Sequence, residues 1–108
     1  MANLEEKGAE ASVEASLDDM GVPVVSISGE LDMSNAEAVS VAIEAVIDDQ
    51  ANRVIFELGA LTFMDSTGIT LLLEVCNRVG SIEVRSPTST VRRVIEITGL
   101  AETFGLVP

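Results

Sequence analysis

The chain has no histidine, tryptophan or tyrosine, and its single cysteine, Cys76, has no partner for an internal disulfide. One cysteine without histidine excludes the usual zinc and blue-copper ligand sets. Serine hydrolase chemistry goes with them, because a serine hydroxyl is a weak nucleophile until a neighbouring base takes its proton. Basic residues are almost as scarce. Six against 18 acids give a net charge of −12, and the largest basic cluster is the pair Arg92-Arg93. Such a chain repels a phosphate backbone, so nucleic acid is not an expected partner. The sole lysine is Lys7 and no Gly-x-x-x-x-Gly-Lys-Ser/Thr run occurs, which removes the P-loop. With three phenylalanines as its only aromatics, the chain lacks the large anchors of many tight interfaces, and a partner should be held by polar and aliphatic groups. Apolar runs such as Leu71-Leu72-Leu73 are far too short to span a bilayer, and the acidic opening Met1 to Glu10 lacks the apolar stretch of a signal peptide. These absences predict a cytoplasmic protein without a membrane segment. Cys76, set in an apolar run, reads as a buried thiol.

What is present suits one domain. A chain of 108 residues buries roughly two thirds of its unfolded surface on folding, enough for a core without metal or disulfide. Residues 1–9 are acidic and poor in apolar groups, which predicts a flexible leader, with the domain covering residues 10–108. From Ala11 to Leu17 apolar and polar residues alternate, the period of a strand with one wet face. Asp19-Met20-Gly21 reads as a turn, and a second strand follows over Val22 to Gly29, with Pro23 at its start, where a missing N–H is tolerated. The pair predicts a hairpin at a sheet edge.

Ser34-Asn35-Ala36-Glu37 has capping-box spacing and predicts a helix start at Ser34, with Val39, Ile43, Val46 and Ile47 as its apolar stripe and Asn52 at its close. Arg53 to Leu58 is nearly continuously apolar, the pattern of a central strand covered on both faces. Gly59 to Met64 then reads as a link, and Ile69 to Val79 as a helix apolar almost all round that ends before Gly80. A short strand over Ile82 to Arg85 precedes a third helix capped by Thr88 or Ser89 and closed by Gly99. Phe104, Leu106 and Val107 read as a docked tail. Hairpin, helix, strand, helix, strand, helix is the order of an α/β domain whose parallel strands are joined by helical crossovers.

Chemistry concentrates at Asp65-Ser66-Thr67-Gly68, where an apolar run ends in an acid and two hydroxyls before a helix opens. Ser66 has two readings: the cap that starts the helix, or a hydroxyl displayed at the positive end of the helix for modification. Tandem hydroxyls exceed what one cap needs, and the loop after a parallel strand is where open α/β sheets place their ligands. A phosphoserine here is physically coherent, since about −1.5 to −2 charges would meet exposed N–H groups and a favourable dipole. A receiver domain phosphorylated on Asp65 would have its acids in Glu30 and Asp32 but lacks the lysine.

Gly29-Glu30-Leu31-Asp32, the run Leu61 to Gly68, and Val91 to Leu100 together resemble, in order and spacing, the anti-sigma factor antagonists built on the STAS domain. The resemblance spans roughly residues 11–104. It implies a mixed four- or five-stranded sheet with flanking helices and no catalytic activity of the chain's own. It implies a role in partner switching: the unphosphorylated antagonist binds an anti-sigma factor with a histidine-kinase-like ATPase fold and frees a sigma factor. That partner also acts as a serine kinase, with ATP and magnesium belonging to it, and a PP2C-type phosphatase resets the switch. Ser66 matches the phosphoacceptor, with Thr67 a secondary one; Asp32, Asp65, Gly68 and Ile69 match the docking surface around it. For Asp32 a plain turn role before the helix stays open. The stretch from Ser66 to Pro87 is several residues shorter than the family pattern, which leaves the motif intact and puts the far end of its helix in question. STAS domains also serve as scaffold or sensor modules that oligomerise or bind a small ligand without sigma control, and this alternative keeps the same fold.

Overall fold

The computed structural model describes residues 10–106. The leader expected over 1–9, and Val107 of the expected tail, lie outside them. Eight elements follow in order: β1 (Ala11–Leu17), β2 (Pro23–Leu31), α1 (Ala36–Val46), β3 (Val54–Glu57), β4 (Leu61–Met64), α2 (Ser66–Val79), β5 (Ile82–Arg85) and α3 (Ser89–Thr98). The strands form a five-stranded mixed sheet in the order β1-β2-β3-β5, with β4 joined to β2. β1 and β2 make the antiparallel hairpin, with Ala11 opposite Gly29 and Leu17 opposite Pro23. Its turn is held by the Asp18 carboxylate, which accepts the N–H groups of Met20 and Val22 at 2.8 and 2.9 Å.

The hairpin stands at the sheet edge as expected, with β1 outermost and β2 inside it. Nine-residue β2 is long enough to hold two parallel neighbours in succession along its other side. Its first half pairs with β3 over Val24–Ser26, and its end pairs with β4 over Gly29–Leu31. The stretch expected as a link after β3 therefore contains a strand. The β2–β4 ladder shifts register between Gly29 and Glu30, an irregularity of the kind that bends a strand locally.

One connected core holds Val25 and Ile27 of β2, Val54 and Phe56 of β3, and Ile82 and Val84 of β5. All the buried apolar helix residues join it, among them Val39 and Ile43 of α1, Leu72 and Val75 of α2, and Val91 and Ile95 of α3. By strand alternation the opposite face carries Ser12, Glu14, Ser26, Ser28, Glu57, Glu83 and Arg85, all exposed or half-buried. That face is open to solvent. Arg53 and Arg85 both pair with Glu83 on it. Ile55 is 1% exposed yet outside the core cluster, so the run Val54-Ile55-Phe56 is apolar without a helical layer on both sides.

Helix α2 is likewise one-sided. Ile69, Leu71, Leu72 and Val75 are buried, while Thr70, Glu74, Asn77 and Arg78 face outward. Cys76, expected buried, is half-buried at its flank. Gly80 and Gly99 close α2 and α3 in the left-handed conformation, and Thr88 caps α3 by accepting the Val91 N–H at 3.3 Å. α1 ends at Val46 rather than running toward Asn52. The tail docks as expected: Phe104 is fully buried, and its carbonyl accepts the Val84 N–H at 2.9 Å along the outer side of β5.

Candidate functional site

β4 passes into α2 through a single residue. Asp65 is extended, at φ −105° and ψ −167°, and caps the helix by accepting the Thr67 N–H at 2.9 Å and the Thr67 hydroxyl as well. A carboxylate suits this place because it meets both the unpaired N–H groups of the first turn and the positive end of the helix dipole. The Thr67 hydroxyl bond is the main influence holding the Asp65 carboxyl below its ordinary value. Partial burial opposes it, and the N–H groups of Thr67, Gly68 and Met33 add to the lowering.

The cap is thus Asp65 and not Ser66. Ser66 is the first residue of α2 and is exposed. Its carbonyl accepts the Thr70 hydroxyl at 3.1 Å, while its own hydroxyl has no partner among the described residues. Thr67 differs from it in both respects, being half-buried and committed to Asp65. The two tandem hydroxyls are therefore unequal in access although they are adjacent in sequence.

Asp32 arrives from a neighbouring loop. Leu31 lies opposite Met64 in the β2–β4 ladder, so the residues that follow each strand emerge side by side. The Asp32 carboxylate accepts the Ser34 N–H at 2.8 Å and the Ser34 hydroxyl at 2.6 Å. Asn35 then accepts the Asp32 N–H at 3.1 Å and donates to the Glu30 carbonyl at 2.9 Å. This overturns the capping box expected at Ser34: the serine faces Asp32, and the N-cap residue is Asn35, which makes no side-chain cap bond. Asx-type turn bonding has won over helix capping, a competition open to any short polar side chain beside an aspartate. Asp32 shapes the loop and also borders the site.

Gly68 and Ile69 sit beneath the surface, Ile69 at 7% exposure. A Cβ on Gly68 would overlap Met64 Cγ and come within 2.8 Å of Met64 Sδ and 3.1 Å of Leu31 Cδ2. Both residues seat the start of α2 on β4 and β2, so the outer surface at this point belongs to Ser66 and its exposed neighbours. Met33, at 79% exposure, and Phe63, at 42%, supply apolar area close by.

Between α1 and α2 runs a groove of 320 Å³ lined by Ala36, Glu37, Ser40, Thr67, Thr70, Leu71 and Glu74. Ala36 and Leu71 give its lining apolar area, Ser40, Thr67 and Thr70 bring hydroxyls, and Glu37 and Glu74 bring negative charge. Sequence reasoning missed Ser40, Thr70 and Glu74, whose only signal is the relative placement of two helices distant in the chain, and Met33, which reaches Asp65 from the loop before α1. Among the described residues no group of histidine, cysteine, aspartate and glutamate side chains could hold a metal ion. No helix among them is long and apolar enough to cross a membrane.

With this geometry, comparisons with known proteins agree on one family. A model of the STAS domain matches residues 17–108. The anti-sigma-F factor antagonist RsfB of Mycobacterium tuberculosis is 35% identical over 92 residues, covering 82% of this chain and 75% of RsfB. The putative anti-sigma factor antagonist BtrV of Bordetella bronchiseptica is 27% identical, covering 78% and 76%. Among solved structures, an anti-sigma factor antagonist from Mycobacterium paratuberculosis superposes with a TM-score of 0.78 at 35% identity, covering 92% of this chain and 86% of that one. Phosphorylated SpoIIAA, a Bacillus cell fate determinant, gives 0.65 at 25% identity, covering 85% and 87%.

Proposed function

The chain belongs to the STAS domain family, and we propose that it is an anti-sigma factor antagonist whose unmodified form binds an anti-sigma factor and is switched off by phosphorylation of Ser66. The observation that carries this is the exposed Ser66 hydroxyl in the first position of α2, unpartnered among the described residues, beside an Asp65 cap that holds the Thr67 N–H and hydroxyl. A phosphate there meets the open N-terminus of a helix, so the domain accepts it without unfolding. The new charge lands beside Asp65 and near the end of β2, which bears Glu30, and the loop that begins at Asp32, and this changes what the surface attracts. Binding, rather than folding, is the property that switches.

The chain has no histidine, and no lysine occurs among the described residues, so the transfer chemistry belongs to the partner. That partner is an anti-sigma factor with kinase activity that carries its own ATP and magnesium, and a PP2C-type phosphatase restores the free serine. Release of the bound sigma factor to RNA polymerase follows from formation of the antagonist complex. The acidic surface suits a partner with a basic docking face.

The test is to mix the protein with an anti-sigma factor kinase and ATP-magnesium, then measure phosphate incorporation and complex formation. Ser66→Ala should take up at most about a tenth of the wild-type phosphate and bind as wild type does. Ser66→Glu should bind at least about tenfold more weakly, a change of about 1.4 kcal/mol. Phosphorylation of Ser66→Ala to the wild-type extent, together with undiminished binding by Ser66→Glu, overturns the reading.

A further inference from the structure

Ser66 and Thr67 are both alcohols, adjacent in the chain and at the same helix terminus, and phosphoryl transfer does not by its chemistry prefer one. Something in the fold must choose between them. Thr67 is half-buried, and its hydroxyl donates to the Asp65 carboxylate, which also accepts the Thr67 N–H at 2.9 Å. For Thr67 to act as an acceptor its oxygen must turn away from the cap and give up a charge-assisted hydrogen bond. Ser66 has no such tie among the described residues.

We propose that Asp65 selects the phosphoryl acceptor, by holding the Thr67 hydroxyl at the cap and leaving Ser66 as the member of the pair that meets the γ-phosphorus of the kinase's ATP. The proposal rests on the reading above that this site accepts a phosphoryl group. In the step, the Ser66 oxygen forms a bond to the γ-phosphorus as the bond from that phosphorus to the β,γ-bridging oxygen breaks. ADP leaves with the electron pair, and the hydroxyl proton passes to a base of the kinase. Asp65 touches neither nucleotide nor reacting oxygen and is a positioning residue.

A carboxylate against a hydroxyl could instead activate it as a base. Here the N–H groups of Thr67, Gly68 and Met33 also stabilise the charged form of Asp65, and a carboxylate so satisfied holds a donor without removing its proton. The strength of one charge-assisted hydrogen bond corresponds to a bias of about tenfold to a hundredfold against Thr67.

Two measurements test this. Thr67→Val removes the hydroxyl, and the Asp65 carboxyl, followed by carbon-13 NMR, should then titrate at higher pH; an unchanged midpoint shows that no tether exists in solution and overturns the proposal. Wild type, Asp65→Ala and Asp65→Asn are then incubated with an anti-sigma factor kinase and ATP-magnesium, and the phosphosites mapped by mass spectrometry. Asp65→Ala should raise the ratio of Thr67 to Ser66 modification at least about tenfold, and Asp65→Asn, which keeps a cap acceptor should the alanine variant not fold, should fall between. In a Ser66→Ala background, Asp65→Ala should raise Thr67 phosphorylation at least about tenfold above the low level of Ser66→Ala alone. An unchanged ratio with Ser66 modified overturns the selection alone. No transfer to either hydroxyl overturns the acceptor reading and the selection with it.

Discussion

The Asp65 N–H donates to the Leu31 carbonyl at 3.2 Å, extending the parallel β2–β4 pair one residue beyond its last partners, Leu31 and Met64. That bond places the Asp65 cap beside the loop that begins at Asp32, and the Met33 N–H helps to stabilise the Asp65 charge. Two motifs more than thirty residues apart thereby form one surface.

Gly68 should be intolerant of any side chain. The first carbon would overlap Met64 Cγ and crowd Met64 Sδ and Leu31 Cδ2, all in a closed part of the core. Alanine would gain helix propensity of about 1 kcal/mol, but overpacking costs of about 1–3 kcal/mol outweigh it. Gly68→Ala is expected to lower the urea midpoint with an unchanged slope. A midpoint equal to or above wild type would show that α2 lifts off β4 without strain.

Asp65 gives the stability a pH signature. Its carboxyl titrates below the ordinary 3.8, chiefly because the Thr67 hydroxyl bonds the charged form. A lowered folded value contributes stability that is fully present above 3.8 and is lost as pH falls through the folded value. Asp65→Asn cannot titrate. The gap in urea midpoint between wild type and Asp65→Asn should stay constant from pH 7 to about pH 5 and shrink by pH 3. A gap that holds or widens at pH 3 refutes the tether as a source of stability.

Legibility in the sequence followed the range of the interactions. Thr88, Gly80 and Gly99 were readable as helix ends because a cap involves residues within one turn. The helix start at residues 65–68 was readable for the same reason, with Asp65 as its cap, whereas Phe104, which docks on the distant β5, was marked only by its apolar character. β4 was hidden: it has four residues, two of them exposed, and its partner β2 lies some thirty positions earlier. Ser34 misled because two local bonding schemes compete for one hydroxyl, and the choice was made by Asp32 and Asn35 together. The open sheet face was hidden as well, since an apolar run such as Val54-Ile55-Phe56 does not say what covers it.

The tail should be integral to the domain. Phe104 is fully buried, and its carbonyl takes the Val84 N–H on the outer side of β5. Phe104→Ala should cost about 3–5 kcal/mol, a large share of the stability of a domain this size. Because the change also loosens the cover of an outer strand, the variant should aggregate at concentrations where wild type stays monodisperse by light scattering. Retention of the wild-type melting temperature by this variant would show that the tail is dispensable.

Gly29 links the sheet to the site. It stands at φ +95°, where the β2 ladder shifts register; its N–H donates to the Ala60 carbonyl at 3.0 Å and its own carbonyl accepts the Thr62 hydroxyl at 3.0 Å. A Cβ there would overlap the Glu10 carbonyl oxygen, and the left-handed backbone alone costs a non-glycine residue about 1 kcal/mol or more. Gly29→Ala should therefore break the local pairing of β1 with β2 and detach β4 at its first residues. Amide exchange should rise at position 29, Leu61 and Asp65, while Val54 and Val84, on β3 and β5 away from the substitution, keep their protection. The Asp65 cap hangs from the far end of the same ladder, so the phosphate acceptance expected at Ser66 should fall with it. Faster exchange spread evenly over the whole sheet would show instead that Gly29 supports global stability and not the placement of the site.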